Sequence, residues 1–137
     1  MYTKSHMNAM ANSKNAFQGN AKRILTICSA GLLRSPTAAT VLSEAYGYNC
    51  RAAGCVPEYA LVPVTEVLIY WADEIVFMEE AHLRIFRDDF AESKIAMKKL
   101  QHGEFQVLNI PDSYSRMDET LVSLIMEKYQ RIGIDKV

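Results

Sequence analysis

Cysteine is scarce in this chain: Cys28, Cys50 and Cys55 are all it has. An odd number at irregular spacing makes no disulfide framework. With no CxxC pair and no Cys/His cluster, the sequence offers no structural zinc site. This usage predicts a reducing, cytoplasmic setting. Long apolar runs are missing, so no membrane span is expected. A dominant charge is missing as well. Fifteen Lys and Arg face sixteen Asp and Glu, a formal net charge of −1, and bulk charge points to neither nucleic acid nor an anionic membrane as partner. Acidic residues are absent from Met1 to Arg23, a stretch rich in Asn, Ser, Lys and Met with no strong hydrophobic period. Residues 1–22 are therefore expected as a flexible arm, and without a long apolar core they do not read as a secretory signal. No repeat or linker divides the remainder. Half of the 137 residues are hydrophobic, enough for one core, so residues 23–137 are expected as a single domain.

What is present is an alternation of two patterns. Ile24-Leu25-Thr26-Ile27 is a short apolar, partly β-branched run, the signature of a strand buried on both faces. A loop over Cys28 to Leu33 follows. Ser35-Pro36-Thr37 then reads as a helix start, with Ser35 as cap, Pro36 in the first turn and Gly47 as the stop. A second strand is expected over Asn49 to Ala53. Thr65 to Ala72 reads as a buried helix, apolar nearly all round, with Trp71 in the core. Ile75-Val76-Phe77 marks a third strand, and helices are expected over Glu79 to Phe90 and Ser93 to Leu100. Phe105 to Ile110 is the fourth strand, ended by Pro111. Ser115 and Asp118 resemble a capping box before the last helix, which Gly133 follows. Strands alternating with helices predict an α/β fold, a parallel sheet covered on both faces. Ligands of such folds sit beyond the carboxyl ends of the strands. Cys28 follows strand one and Asp112 follows strand four, so the two are expected on one edge.

The segment Cys28-Ser29-Ala30-Gly31-Leu32-Leu33-Arg34-Ser35 carries the chemistry. A loop between a strand and a helix N-terminus can turn its backbone N–H groups toward one centre and hold an oxyanion such as phosphate. A helix N-terminus and a nearby guanidinium also favour a thiolate, which makes Cys28 the candidate nucleophile. Arg34 offers a planar fork that matches two phosphate oxygens. The Ser35 hydroxyl can donate toward the Cys28 sulfur. Asp112, in Ile110-Pro111-Asp112-Ser113-Tyr114, is the candidate acid that protonates a leaving oxygen and then activates water. Asp118 is the fallback acid. Tyr59 and Tyr114 are candidate aromatic walls for a substrate ring. His82 is expected on an exposed helix face and His102 in a loop, neither with a role. Glu79-Glu80 and Asp88-Asp89 read as solvated pairs, not metal ligands.

On these residues the chain resembles the low-molecular-weight protein tyrosine phosphatases, from about Arg23 to Ile132. The match is strongest at Cys28 to Pro36, at Ala53-Gly54, at Ala72-Asp73-Glu74-Ile75-Val76-Phe77-Met78-Glu79 and at Asp112-Ser113-Tyr114. Trp71-Ala72-Asp73 and Ile110-Pro111-Asp112 look like a compact predicted-phosphatase branch. The resemblance implies a three-layer sandwich with a four-stranded parallel sheet in order 2-1-3-4. It also implies hydrolysis of phosphate monoesters through a phosphocysteine, without metal or cofactor, on a phosphorylated protein or a small phosphomonoester. The family's Gly-Asn inside the loop is here Ala30-Gly31, and its Ser-Ala-Gly after strand two is Ala52-Ala53-Gly54. Gly31 can turn left-handed without a side chain. Losing the loop Asn and its supporting Ser together leaves neither partner unpaired. The family's second loop cysteine is here Leu33, which leaves Cys50 or Cys55 as candidate resolving thiols. The segment between strands two and three is short for the family. Two rival functions stay open: an arsenate reductase-like thiol enzyme on the same fold, which needs a cysteine relay, and a phosphopeptide-binding module without turnover.

Overall fold

The computed structural model describes residues 21–58 and 60–130. Tyr59, Gly133 and nearly all of the expected arm lie outside the described residues. Lys22, the arm's last residue, is held by the fold: its ammonium lies 3.3 Å from the Glu74 carboxylate, and its carbonyl accepts from the Asn49 N–H.

Nine elements alternate along the described chain: β1 (Arg23–Cys28), α1 (Arg34–Tyr46), β2 (Asn49–Gly54), α2 (Glu66–Trp71), β3 (Glu74–Phe77), α3 (Glu80–Asp89), α4 (Lys94–Gln101), β4 (Phe105–Val107) and α5 (Glu119–Lys128). The four strands form one parallel sheet in the order β2-β1-β3-β4. Because β1 is central, five of its six residues are buried, which is why its sequence shows no polar alternation. Successive side chains leave opposite faces. Ile24 and Cys28 join a cluster with Val41 and Leu42 of α1 and with Leu121 and Ile125 of α5. Leu25 and Ile27 join Ile69 of α2, Leu83 and Phe86 of α3 and Ala96 of α4. The sheet is thus the middle of three layers.

Several expected boundaries move. α1 begins at Arg34, and Ser35 lies inside its first turn, buried, rather than capping it. Gly47 does end that helix, at φ 72° with its N–H on the Ser43 carbonyl. α2 is not buried all round: Val67 and Tyr70 are 76% and 72% exposed, and Ile69 is its buried anchor. Trp71 is half-buried, with the Arg51 guanidinium stacked 4.9 Å over its ring. Six residues give one buried stripe, and the rest of an apolar sequence must face solvent. Asp118 alone caps α5, accepting from the Thr120 and Leu121 N–H groups, while Ser115 takes no part in that cap. β4 stops at Val107 instead of Ile110, because Asn109 turns to φ 57° and breaks the extended run, a conformation that Asn adopts more readily than most residues. Pairing nevertheless resumes on either side: the Leu108 N–H donates to Phe77 O and the Ile110 N–H to Met78 O. That interrupted ladder carries the chain up to Asp112.

Candidate active site

The loop after β1 is shaped from behind. The N–H groups of Cys55, Val56 and Leu61 donate to the carbonyls of Cys28, Ser29 and Ala30 at 2.9, 3.0 and 3.3 Å. In a planar trans peptide the next N–H points opposite to the carbonyl. Tying these three oxygens outward therefore turns the N–H groups of Ser29, Ala30 and Gly31 inward. One of them has a visible target: the Gly31 N–H donates to the Cys28 sulfur at 3.2 Å. Gly31 sits at φ 74°. A Cβ there would lie 2.8 Å from the Ala53 carbonyl carbon and from the Gly54 nitrogen, and a Cβ on Gly54 would lie 2.6 Å from the Ala30 carbonyl carbon. Two glycines thus let the loop rest directly on the end of β2, where any side chain would prise it away.

Cys28 ends β1 with its sulfur 3.1 Å from the Ser35 hydroxyl, so Ser35 faces the thiol as expected although it is not the helix cap. Thr26 ties the helix start to β1, its hydroxyl donating to the Ser35 carbonyl at 2.7 Å. Arg34 is buried. Its Nη1 donates to the Glu79 carboxylate and, at 2.8 Å, to the Ile110 carbonyl. Its Nε lies 3.7 Å from Asp112 Oδ1. With Nη1 committed to protein acceptors, the Nε–Nη2 edge is the fork left for an oxyanion. The Asp112 side chain is 62% exposed.

A pocket of about 300 Å³ is lined by Cys28, Ser29, Ala30, Leu32, Leu33, Arg34 and Asp112. Cys28 is buried, 4% exposed, and is one of these lining residues. The sequence expectation that Cys28 and Asp112 meet on one sheet edge holds, and Arg34 joins them. Tyr114 does not line the pocket; it is half-buried against the core beneath α1 and α5. Tyr59 lies outside the described residues.

Sequence reasoning missed two neighbours of this pocket. Glu79 is not a solvated acid: it holds Arg34, and it caps α3 in a reciprocal box with His82. His82 is not on an exposed face. It is 2% exposed, its Nδ1 accepts from the Glu79 backbone N–H at 3.1 Å, and its Nε2 lies 3.0 Å from the Ser29 hydroxyl. Burial pushes its pKa down to about 4, with the Arg34 charge adding to the effect and Glu79 and Asp112 opposing it. The signal for Glu79 was available: it follows β3 directly, on the edge that singled out Asp112. The Glu79-x-x-His82 spacing at a helix start was the clue to the histidine.

Cys50 and Cys55 are buried and free. Cys50 pairs in register with Ile24, at the other end of the strand from Cys28, and burial drives its pKa far up. Cys55 packs into the cluster on the opposite face of the sheet from Cys28, and its pKa is pushed up to about 11, mainly by burial and then by Cys28. Among the described residues no group of three or more His, Cys, Asp or Glu could hold a metal ion, and no helix is long and apolar enough to cross a membrane.

No protein family's sequence profile matches the chain, and no curated protein sequence does. Solved structures do. Wzb of Vibrio vulnificus, in complex with benzylphosphonate, superposes with a TM-score of 0.58 at 20% identity, over 80% of this chain and 94% of that one. The tyrosine phosphatase Wzb of Escherichia coli K30, in complex with phosphate, gives 0.57 at 20% identity, over 79% and 93%. The chain has the low-molecular-weight protein tyrosine phosphatase fold. The YwlE arginine phosphatase of Geobacillus stearothermophilus shares it with a TM-score of 0.50 at 20% identity, over 77% of this chain and 84% of that one. In this phosphatase fold the loop after β1 and the segment after β4 meet at the carboxyl edge of the sheet, where the pocket lies.

Proposed function

We propose that this chain is a phosphate monoester hydrolase that works through a phosphocysteine on Cys28, and that its substrates are aryl phosphates such as phosphotyrosine. The observation that carries the reading is that one pocket gathers a thiol, a guanidinium edge and a carboxyl group. Inward-turned amides and the Nε–Nη2 edge of Arg34 bind the phosphoryl oxygens. The Cys28 thiolate attacks phosphorus and the P–O bond to the leaving group breaks. Asp112 gives its proton to that oxygen. The resulting carboxylate takes a proton from water, whose oxygen attacks the phosphocysteine, releasing phosphate and the thiolate.

Three features support the finer substrate choice and the choice of activity. Leu32 and Leu33 are partly exposed on the pocket wall, an apolar lining that suits a ring. The structural neighbours include a tyrosine phosphatase. A cysteine relay for arsenate reduction lacks reactive partners, since burial keeps Cys50 and Cys55 protonated near neutral pH. Turnover of an aryl phosphate separates an enzyme from a phosphopeptide-binding module.

The test is hydrolysis of p-nitrophenyl phosphate and of phosphotyrosine by wild type and three variants. Cys28→Ser and Arg34→Ala lose nearly all activity on both. Asp112→Ala loses less on p-nitrophenyl phosphate, whose leaving group needs little protonation. Equal losses on the two substrates would remove Asp112 from the role of acid, and a fully active Cys28→Ser would end the proposal.

A further inference from the structure

Resting on that reading of the loop, we propose that the Ser29 hydroxyl is an additional ligand to a non-bridging phosphoryl oxygen, aimed into the pocket by His82. The inference follows from where protons must be. The His82 Nδ1 faces the Glu79 backbone N–H at 3.1 Å. A backbone amide only donates, so Nδ1 is the acceptor and carries no proton. The ring is buried and, with its pKa lowered to about 4 by burial and by Arg34, is neutral at pH 7. Its single proton then sits on Nε2 and is donated to Ser29 Oγ, 3.0 Å away. The Ser29 hydroxyl accepts from the histidine and keeps its own proton to give. Among the described residues that ring, which donates, is the only hydrogen-bond partner of the Ser29 hydroxyl, and Ser29 lines the pocket with Cys28 and Arg34. An oxyanion in the pocket is the acceptor that completes it.

The arrangement ties two phosphate-facing donors to one residue. The Glu79 carboxylate holds Arg34 and the Glu79 N–H fixes the tautomer of His82. Ser29 is thus a catalytic residue by contact with phosphate, and His82 is a positioning residue.

Two measurements test this, and neither needs turnover. Nitrogen-15 NMR of the imidazole at pH 7 is expected to show Nε2 protonated and Nδ1 bare; the opposite tautomer, or a charged ring, overturns the proposal. Calorimetric titration with inorganic phosphate is expected to show Ser29→Ala binding about tenfold more weakly, as for loss of a charge-assisted hydrogen bond, with Ser29→Thr restoring most of the affinity. His82→Gln is expected to weaken binding less, and the double variant Ser29→Ala/His82→Gln no more than Ser29→Ala alone. Phosphate binding that depends on Arg34 but is the same in Ser29→Ala as in wild type overturns the Ser29 proposal and spares the phosphatase reading. A wild-type chain that binds no phosphate overturns both.

Discussion

Gly31 and Gly54 are the points at which single atoms decide the site. Each lies against the other's neighbours, closer than any Cβ allows. Gly54→Ala is expected to cost about 1–3 kcal/mol of stability through overpacking against backbone and to abolish activity by pushing the loop off β2. Thermal melts and aryl phosphate hydrolysis check both effects; a variant that melts and turns over like wild type would refute the close approach. Glu79→Gln keeps a hydrogen-bond acceptor for Arg34 but removes the charge. It is expected to lower kcat/KM by about tenfold or more, the range for a charge-assisted contact, with little change in melting temperature. His82 makes a pH statement. Its folded pKa is about 4 against the ordinary 6.5, so the unfolded chain takes up a proton that the folded chain refuses. The contribution is full above about pH 6.5 and is lost as pH falls toward about 4. Denaturation curves of wild type and His82→Gln are expected to converge over that window on acidification; parallel curves would contradict it.

At the scale of elements, α1 and the segment before α5 are coupled through Thr37. Its hydroxyl donates to the Leu33 carbonyl at 2.7 Å and accepts from the Met117 N–H at 2.9 Å. Thr37→Val is expected to cost about 1–2 kcal/mol by leaving that N–H unpaired, and to slow the step that uses Asp112 more than phosphate binding. A matching loss in both would place the effect elsewhere. The same element shows what a sequence can and cannot reveal. The strands β1 and β3 were legible because burial on both faces leaves short apolar runs, Ile24 to Ile27 and Ile75 to Phe77. Cys28, Arg34 and Asp112 were legible because each stands at a strand end or a helix start on one edge. Ser35 misled because a Ser-Pro pair fits a cap and a first turn equally well, and here the loop reaches its helix two residues earlier, with Leu33 at the cap position. β4 overran because an Asn inside an apolar stretch gives no warning of a left-handed backbone. α2 was overburied in the reading because hydrophobicity does not say which side of a short helix meets the sheet. His82 and Glu79 were missed because their partners, Ser29 and Arg34, are about fifty residues away along the chain, and only the β1–β3 pairing joins them.

On the scale of the whole molecule, the sheet order decides the chemistry. With β1 central and β3 beside it, the loop after β1 takes support from residues after β2, from Glu79 and His82 after β3, and from Ile110 and Asp112 after β4. The far edge is closed by a separate buried network, in which the Glu74 carboxylate accepts from the Tyr129 hydroxyl at 2.7 Å and from Gln106 at 2.8 Å. That network pushes the Tyr129 pKa strongly up, by burial first and then by Glu74. The central claim is that phosphate passes through the sulfur of Cys28. Its most direct test is rapid quenching of p-nitrophenyl phosphate turnover, followed by mass spectrometry of the intact chain and its peptides. The account predicts a phosphoryl group on the peptide bearing Cys28, accumulating in Asp112→Ala and absent from Cys28→Ser. Turnover with no phosphorylated chain, or with the phosphoryl group on another residue, would contradict it.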